Sequence, residues 1–200
     1  MVLSTRFEQA LTYAAILHSG QVKKGTAIPY IGHLLTVTGI ALEQGADEDE
    51  AIAALLHDAV EDQGGKGRLA DLRGRFGERV ATIVEGCTDT DVTPKPEWNE
   101  RKGQYIEHLR REQNPSVLLV SASDKLANTR AILGDYRQIG EDVWKRFSGG
   151  REGTLWYYRT LTSVFLEKTP TSPLVLELAR VVSDLDALAA RAQPTPEVRY

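Results

Sequence analysis

Apolar residues recur at three- and four-residue spacing through most of the chain, and no useful stretch alternates apolar with polar residues. That periodicity belongs to amphipathic helices and leaves little material for a sheet. In residues 4–19 the apolar positions are Phe7, Ala10, Leu11, Ala14 and Ala15. Similar patterns predict helices at 31–44, 47–62, 66–76, 77–88, 99–112, 115–133, 141–147, 154–168 and 173–191. Between them lie turn-rich segments: "SGQVKKGTAIPY", "DTDVTPKPEW" and a flexible loop "SGGREG" at 148–153. The β-prone run "SVLLVSAS" at 116–123 reads as a buried helix, because "DKLANTRAIL" continues it in helical register. The acids of "DEDE" before Ala51 fall in a first helical turn, where they complement the helix dipole. The expected fold is all-α, a compact multi-helix bundle. It reads as one domain over 1–192, with a frayed tail at 193–200.

Charge and composition narrow the function classes. A net charge of −4 argues against a broad nucleic-acid-binding surface, although it leaves room for a local basic pocket. No apolar run is long enough to span a bilayer, and "MVLSTRFEQALTYAA" lacks the layout of a signal peptide. The single cysteine, Cys87, has no internal disulfide partner and reads as a small buried residue. The expectation is a soluble cytoplasmic protein with a small-molecule partner, no nucleic acid and no membrane. The oligomeric state is not written in the sequence.

The informative chemistry begins in "AALLHDAVED", residues 53–62. On a helix, Ile52, Leu55, Leu56, Ala59 and Val60 form one apolar stripe. His57 with Glu61, and Asp58 with Asp62, are i,i+4 pairs on the opposite arc. Alone, such a set is an exposed polar face with one histidine. Other ionisable residues in apolar settings change the weighting. His33 opens the helix of "PYIGHLL", and Asp124 sits inside "VSASDKLANTR" with Asn128 one turn on. Each has a simpler reading by itself: a helix-start or core histidine, and an aspartate paired with Lys125 or Arg130. Taken together, two imidazoles and two carboxylates make a donor set that suits manganese, iron or zinc and leaves positions for water and substrate. Glu61 and Asp62, one turn beyond, could then orient or deprotonate a nucleophile and protonate a leaving group.

In their order, "PYIGHLL", "ALLHDAVED", "FGERVATIVEGCTD" and "ASDKLANTR" resemble the HD phosphohydrolase superfamily. The chain is more closely similar to the hydrolase domain of the RelA/SpoT alarmone enzymes and to the small alarmone hydrolases. The likeness runs from His18 to Arg159. It implies one Mn²⁺ held by His33, His57, Asp58 and Asp124, with Zn²⁺ or Fe²⁺ as ions that isolated protein could carry. It implies that Glu61 and Asp62 act on water and the scissile phosphate. It also implies that Lys23 and Lys24 lie near the nucleotide and that Asn128 faces the base. The chain departs from the pattern in Gln63-Gly64-Gly65 and in Ala127, which bear on the shape of the pocket.

Among the remaining candidates, Arg151 reads as a phosphate contact on a mobile loop, and Arg101 and Lys102 as part of a surface helix. Trp156, Tyr157 and Tyr158 read mainly as core, His18 as support for the site by hydrogen bonding, and His108 as surface. Relatives that cleave cyclic nucleotides use further histidines for a second metal. With four histidines in all, this chain predicts one metal. The implied activity is removal of the 3′-pyrophosphate from (p)ppGpp-type alarmones, giving GDP or GTP and pyrophosphate. The alternatives are the same chemistry on (p)ppApp or another 3′-phosphorylated nucleotide, and a metal-binding nucleotide sensor without catalysis.

Overall fold

The computed structural model describes residues 2–90, 92 and 94–191. Among these residues the regular elements are all helical, apart from one isolated antiparallel bridge between Val22 and Pro29. The expected tail at 193–200 lies outside the described residues. The chain divides into two compact units, 1–127 and 128–200.

The first unit contains α1 (Thr5–Leu17), α2 (Ile31–Glu43), α3 (Glu48–Leu56), α4 (Ala59–Asp62), α5 (Gly65–Phe76), α6 (Glu78–Cys87) and α7 (Trp98–Arg111). It also takes in the part of α8 (Pro115–Ile139) up to Ala127. Helix α3 is its centre and packs against α1, α2 and α6. Its start is written in sequence. Asp47 and Glu50 form a reciprocal capping box, and three acids occupy the first turn.

The helix expected over 47–62 is interrupted. Helix α3 ends at Leu56, and a separate four-residue turn of helix begins at Ala59. The two-faced picture of this segment also fails, because Ala51 through Leu56 are each fully buried. Neighbouring helices cover α3 on several sides, so from Ala51 to Leu56 it has no solvent arc on which to place charges. A hydrophobic-stripe argument assumes one exposed face, and a central helix has none.

Close packing sets a second contact. Gly86 of α6 faces Val117 of α8, and a Cβ on Gly86 would lie 2.7 Å and 2.8 Å from the two Val117 methyl groups. The turn between α5 and α6 is made by Gly77 at φ +93°, a conformation that suits glycine.

The second unit holds the rest of α8 from Asn128, a 3₁₀ helix (Gly140–Arg146), α9 (Gly150–Lys168) and α10 (Pro173–Arg191). Helix α9 packs on α10 and on the 3₁₀ helix. Tyr157 and Tyr158 are buried and Trp156 is exposed, so two of the three aromatics serve the core. The loop expected at 148–153 is shorter than predicted, because α9 already begins at Gly150. Arg151 therefore lies in a first helical turn. Its guanidinium donates to the Ala189 carbonyl at 3.0 Å and to Glu152 at 2.6 Å. Thr154 Oγ1 donates to the Gly150 carbonyl at 2.6 Å, which also ties this turn down.

Candidate metal centre and its acidic neighbours

Two helices and one helix break deliver the donor groups. His33 comes from the first turn of α2, His57 and Asp58 from the break after α3, and Asp124 from α8. All four come from the first unit. His33, His57 and Asp124 are buried and Asp58 is half-buried. His33, His57 and Asp58 each offer a ligand atom, and these atoms lie within 4.8 Å of one another. Asp124 Oδ1 joins them, 3.2 Å from His33 Nε2 and 3.6 Å from His57 Nε2. Asp58 Oδ2 lies 3.1 Å from His57 Nε2 and 3.7 Å from His33 Nε2.

The proton on His57 is placed by the backbone. His57 Nδ1 lies 2.8 Å from the Ala54 carbonyl, the acceptor that a continuing helix would offer to the Asp58 N–H. A carbonyl only accepts, so Nδ1 carries hydrogen and neutral His57 presents a lone pair at Nε2. Nε2 is buried and has no hydrogen-bond partner. A buried lone pair beside two carboxylates and a second imidazole lacks a positive charge to point at. A divalent cation fits that need, so the residues present fit a metal.

The electrostatics favour positive charge at this position, whether a proton on His57 or a cation in its place. Burial opposes charge on His57, yet the carboxylates of Asp58 and Asp124 push its pKa well above the usual imidazole value. Burial also works against ionised Asp58, and the imidazoles of His57 and His33 nevertheless hold it well below the carboxylate range. Asp124 behaves likewise: burial is overcome by Lys125, whose Nζ donates to Oδ2 at 2.6 Å, and by the two histidines. Tyr30 donates a short hydrogen bond to Asp58 Oδ2, and burial followed by the Asp58 charge drives its phenol strongly upward.

Beside this cluster stand Glu61 and Asp62. Gln21 Nε2 donates to Asp62 Oδ2 at 2.8 Å, and His18 Nδ1 lies 2.7 Å from Gln21 Oε1. The expected support from His18 thus reaches Asp62 through one glutamine. Lys95 Nζ donates to Glu61 Oε1 at 2.9 Å and lies 3.4 Å from Asp62 Oδ1. Burial, then the charges of Asp58 and Asp89, raise the Glu61 carboxyl above its ordinary value, against the pull of Lys95.

Arg101 and Lys102 are not on an exposed helix face as expected. They turn inward and share Asp89 Oδ2, and Arg101 also lies 3.3 Å from Glu61 Oε1. Tyr30 and Asp89 carried no separate signal in the sequence. Tyr30 is part of "PYIGHL", and its place beside a histidine and a proline turn was the only hint.

The nucleotide-contact candidates are divided between the units. Lys23 and Lys24 lie on the loop closed by the Val22–Pro29 bridge, Lys23 half-buried and Lys24 exposed. Asn128 follows Asp124 by one turn of α8 and is half-buried, but with Arg151 it belongs to the second unit.

Among the described residues an all-helical fold gathers two histidines and two aspartates, a donor set that could hold a metal, beside a Glu–Asp pair. The chain belongs to the HD domain family, whose model matches residues 10–155. It is 37% identical over 126 residues to a guanosine-3′,5′-bis(diphosphate) 3′-pyrophosphohydrolase of Aquifex aeolicus, covering 62% of this chain and 17% of that protein. It is also 37% identical over 127 residues to the Danio rerio guanosine-3′,5′-bis(diphosphate) 3′-pyrophosphohydrolase MESH1, covering 62% of this chain and 67% of that protein. The chain spans 15–18% of the length of the first curated relatives it matches. Among solved structures, one described as a metazoan ortholog of SpoT that hydrolyzes ppGpp superposes with a TM-score of 0.73 at 26% identity. The match covers 92% of this chain and 98% of that one. A Listeria monocytogenes protein superposes with a TM-score of 0.67 at 31% identity, covering 76% and 97%. Among the described residues, no helix is long and apolar enough to cross a membrane.

Proposed function

We propose that the chain is a Mn²⁺-dependent hydrolase that removes the 3′-pyrophosphate from (p)ppGpp-type alarmones, giving GDP or GTP and pyrophosphate. The observation that carries the reading is the buried, unpartnered Nε2 of His57 among Asp58, Asp124 and His33. The names of the relatives supply the substrate class. His33, His57, Asp58 and Asp124 would hold one ion, which when bound supplies an activated water and positive charge beside the scissile phosphate.

The chain's own groups do the rest. Asp62, held by Gln21 and Lys95, would orient the attacking water. Glu61, whose carboxyl is raised by burial, suits the transfer of a proton to the departing ribose 3′ oxygen. Contact with substrate is proposed for Lys23 and Lys24. Attack on the phosphorus attached to the 3′ oxygen breaks that P–O bond and leaves the water oxygen in pyrophosphate.

The test is hydrolysis of ppGpp by the Mn²⁺-loaded protein in ¹⁸O-water, with label expected in pyrophosphate. Label in GDP, release of orthophosphate, or turnover of a 3′,5′-adenosine analogue without turnover of ppGpp would overturn the reading.

A further inference from the structure

Behind Glu61 lies a charged trio that the proposed reaction does not use. Asp89, Arg101 and Lys102 have side chains only 5%, 14% and 17% exposed. One oxygen, Asp89 Oδ2, accepts from both Arg101 Nη1 and Lys102 Nζ, the latter at 2.6 Å. The same Nη1 is 3.3 Å from Glu61 Oε1, so one guanidinium nitrogen is shared by two carboxylates.

An arginine and a carboxylate left to themselves form a two-bond fork. Here the fork is not made: Asp89 Oδ1 and Arg101 Nε are both buried without hydrogen-bond partners. A pair serving only to stabilise the fold would gain by closing that fork, because each unmet buried group costs about 1–3 kcal/mol. The arrangement instead keeps the guanidinium at the edge of Glu61, drawn closer to Asp89.

We infer that Asp89 is a positioning residue for Glu61: by holding Arg101 it keeps the guanidinium from closing on Glu61 as a two-bond ion pair. Such a pair would occupy the carboxylate that the proposed function needs, and the inference rests on that reading of Glu61. Lys95 also touches Glu61, but its side chain is 40% exposed and water can replace it. Arg101 has no such alternative.

The test uses Asp89→Asn combined with Lys102→Met, which removes one charge of each sign and leaves Arg101 facing Glu61. The crystal structure should show Arg101 making two hydrogen bonds to Glu61 in place of the single 3.3 Å approach. With Mn²⁺ and ppGpp, kcat should fall about tenfold or more, at near-constant KM and metal content. Adding Arg101→Gln should raise kcat again, a recovery that a structural role for Asp89 does not produce. An unchanged Arg101–Glu61 distance, an unchanged kcat, or a triple variant no faster than the double overturns the inference. If the double variant does not fold, Asp89→Glu keeps the charge and pushes the guanidinium toward Glu61. It should lower kcat at constant KM, and an undiminished kcat overturns the inference. A wild-type protein inactive on ppGpp removes the proposed function instead, and the Arg101–Glu61 distance then decides this point alone.

Discussion

Replacing Gly86 by alanine tests the packing that carries Asp124 on α8. The new Cβ would sit 2.7 Å and 2.8 Å from the two methyl groups of Val117, well inside van der Waals contact. Val117 is buried and β-branched, so one turn about χ1 cannot clear both methyl groups. Relief must come from moving α6 and α8 apart, and overpacking of this kind costs about 1–3 kcal/mol. Alanine returns up to about 1 kcal/mol of helix propensity, less here because Gly86 is next to last in α6. The expected net loss is about 1–2 kcal/mol, read as a lower urea midpoint at constant m. Val117→Ala alone should cost roughly 2 kcal/mol by removing two buried methyl groups. In the double variant the alanine methyl at 86 refills the space, so the two losses should not add. A Gly86→Ala protein as stable as wild type refutes the reasoning. So does additivity of the two substitutions within about 0.5 kcal/mol.

Other expectations concern the site and its surroundings. Asp58→Ala should lose bound metal and activity together, as metal analysis and rates on the same preparation will show; activity surviving without metal contradicts the ligand assignment. Glu61→Gln and Asp62→Asn should retain metal yet lose roughly 10²-fold in turnover; near-wild-type rates in both would sink their assigned roles. On the second unit, hydrogen bonds from Arg180, and after it from Arg130, lower Glu177 from its ordinary 4.5 to about 2. A depressed carboxyl stabilises the fold above its unfolded pKa, and that share is lost as pH falls from 4.5 toward 2. Because the group is largely solvent-screened, the contribution is about 1 kcal/mol at most. Glu177→Gln should flatten that part of the urea-stability profile, and an unaltered acid slope contradicts the linkage.

The helices were legible because their signals are local. Apolar spacing, the acids of the first turn of α3 and the proline and glycine loops each act within a few residues. Most observed ends fall close to expectation, although α8 runs on from 133 to Ile139 and α9 starts four residues early at Gly150. The order of the histidine and aspartate motifs was legible for the same reason. Missing from the sequence was anything decided by what packs beside what. The break after Leu56 follows from the burial of α3 and from the His57 contact to Ala54. The inward turn of Arg101 and Lys102 follows from Asp89, distant in sequence and unremarkable within "CTDT". Arg151 read as part of a mobile loop because two glycines precede it. Its anchor, the Ala189 carbonyl, is on another helix.

The hydrogen bond from His57 to Ala54 has a consequence for how this centre varies among sequences and how it can be probed. The acceptor belongs to the main chain, so no exchange of side chain at position 54 removes it. An alanine scan is blind there, since the residue is already alanine. Drift among relatives at this position would register only as a demand for small size, from a fully buried site. The choice of which imidazole nitrogen faces Asp58, Asp124 and His33 is thereby insulated from ordinary mutation and bound to the path of the last turn of α3. Only a change in the peptide itself, such as an ester in place of the amide between Ala54 and Leu55, would weaken that acceptor and leave the side chains around it unaltered.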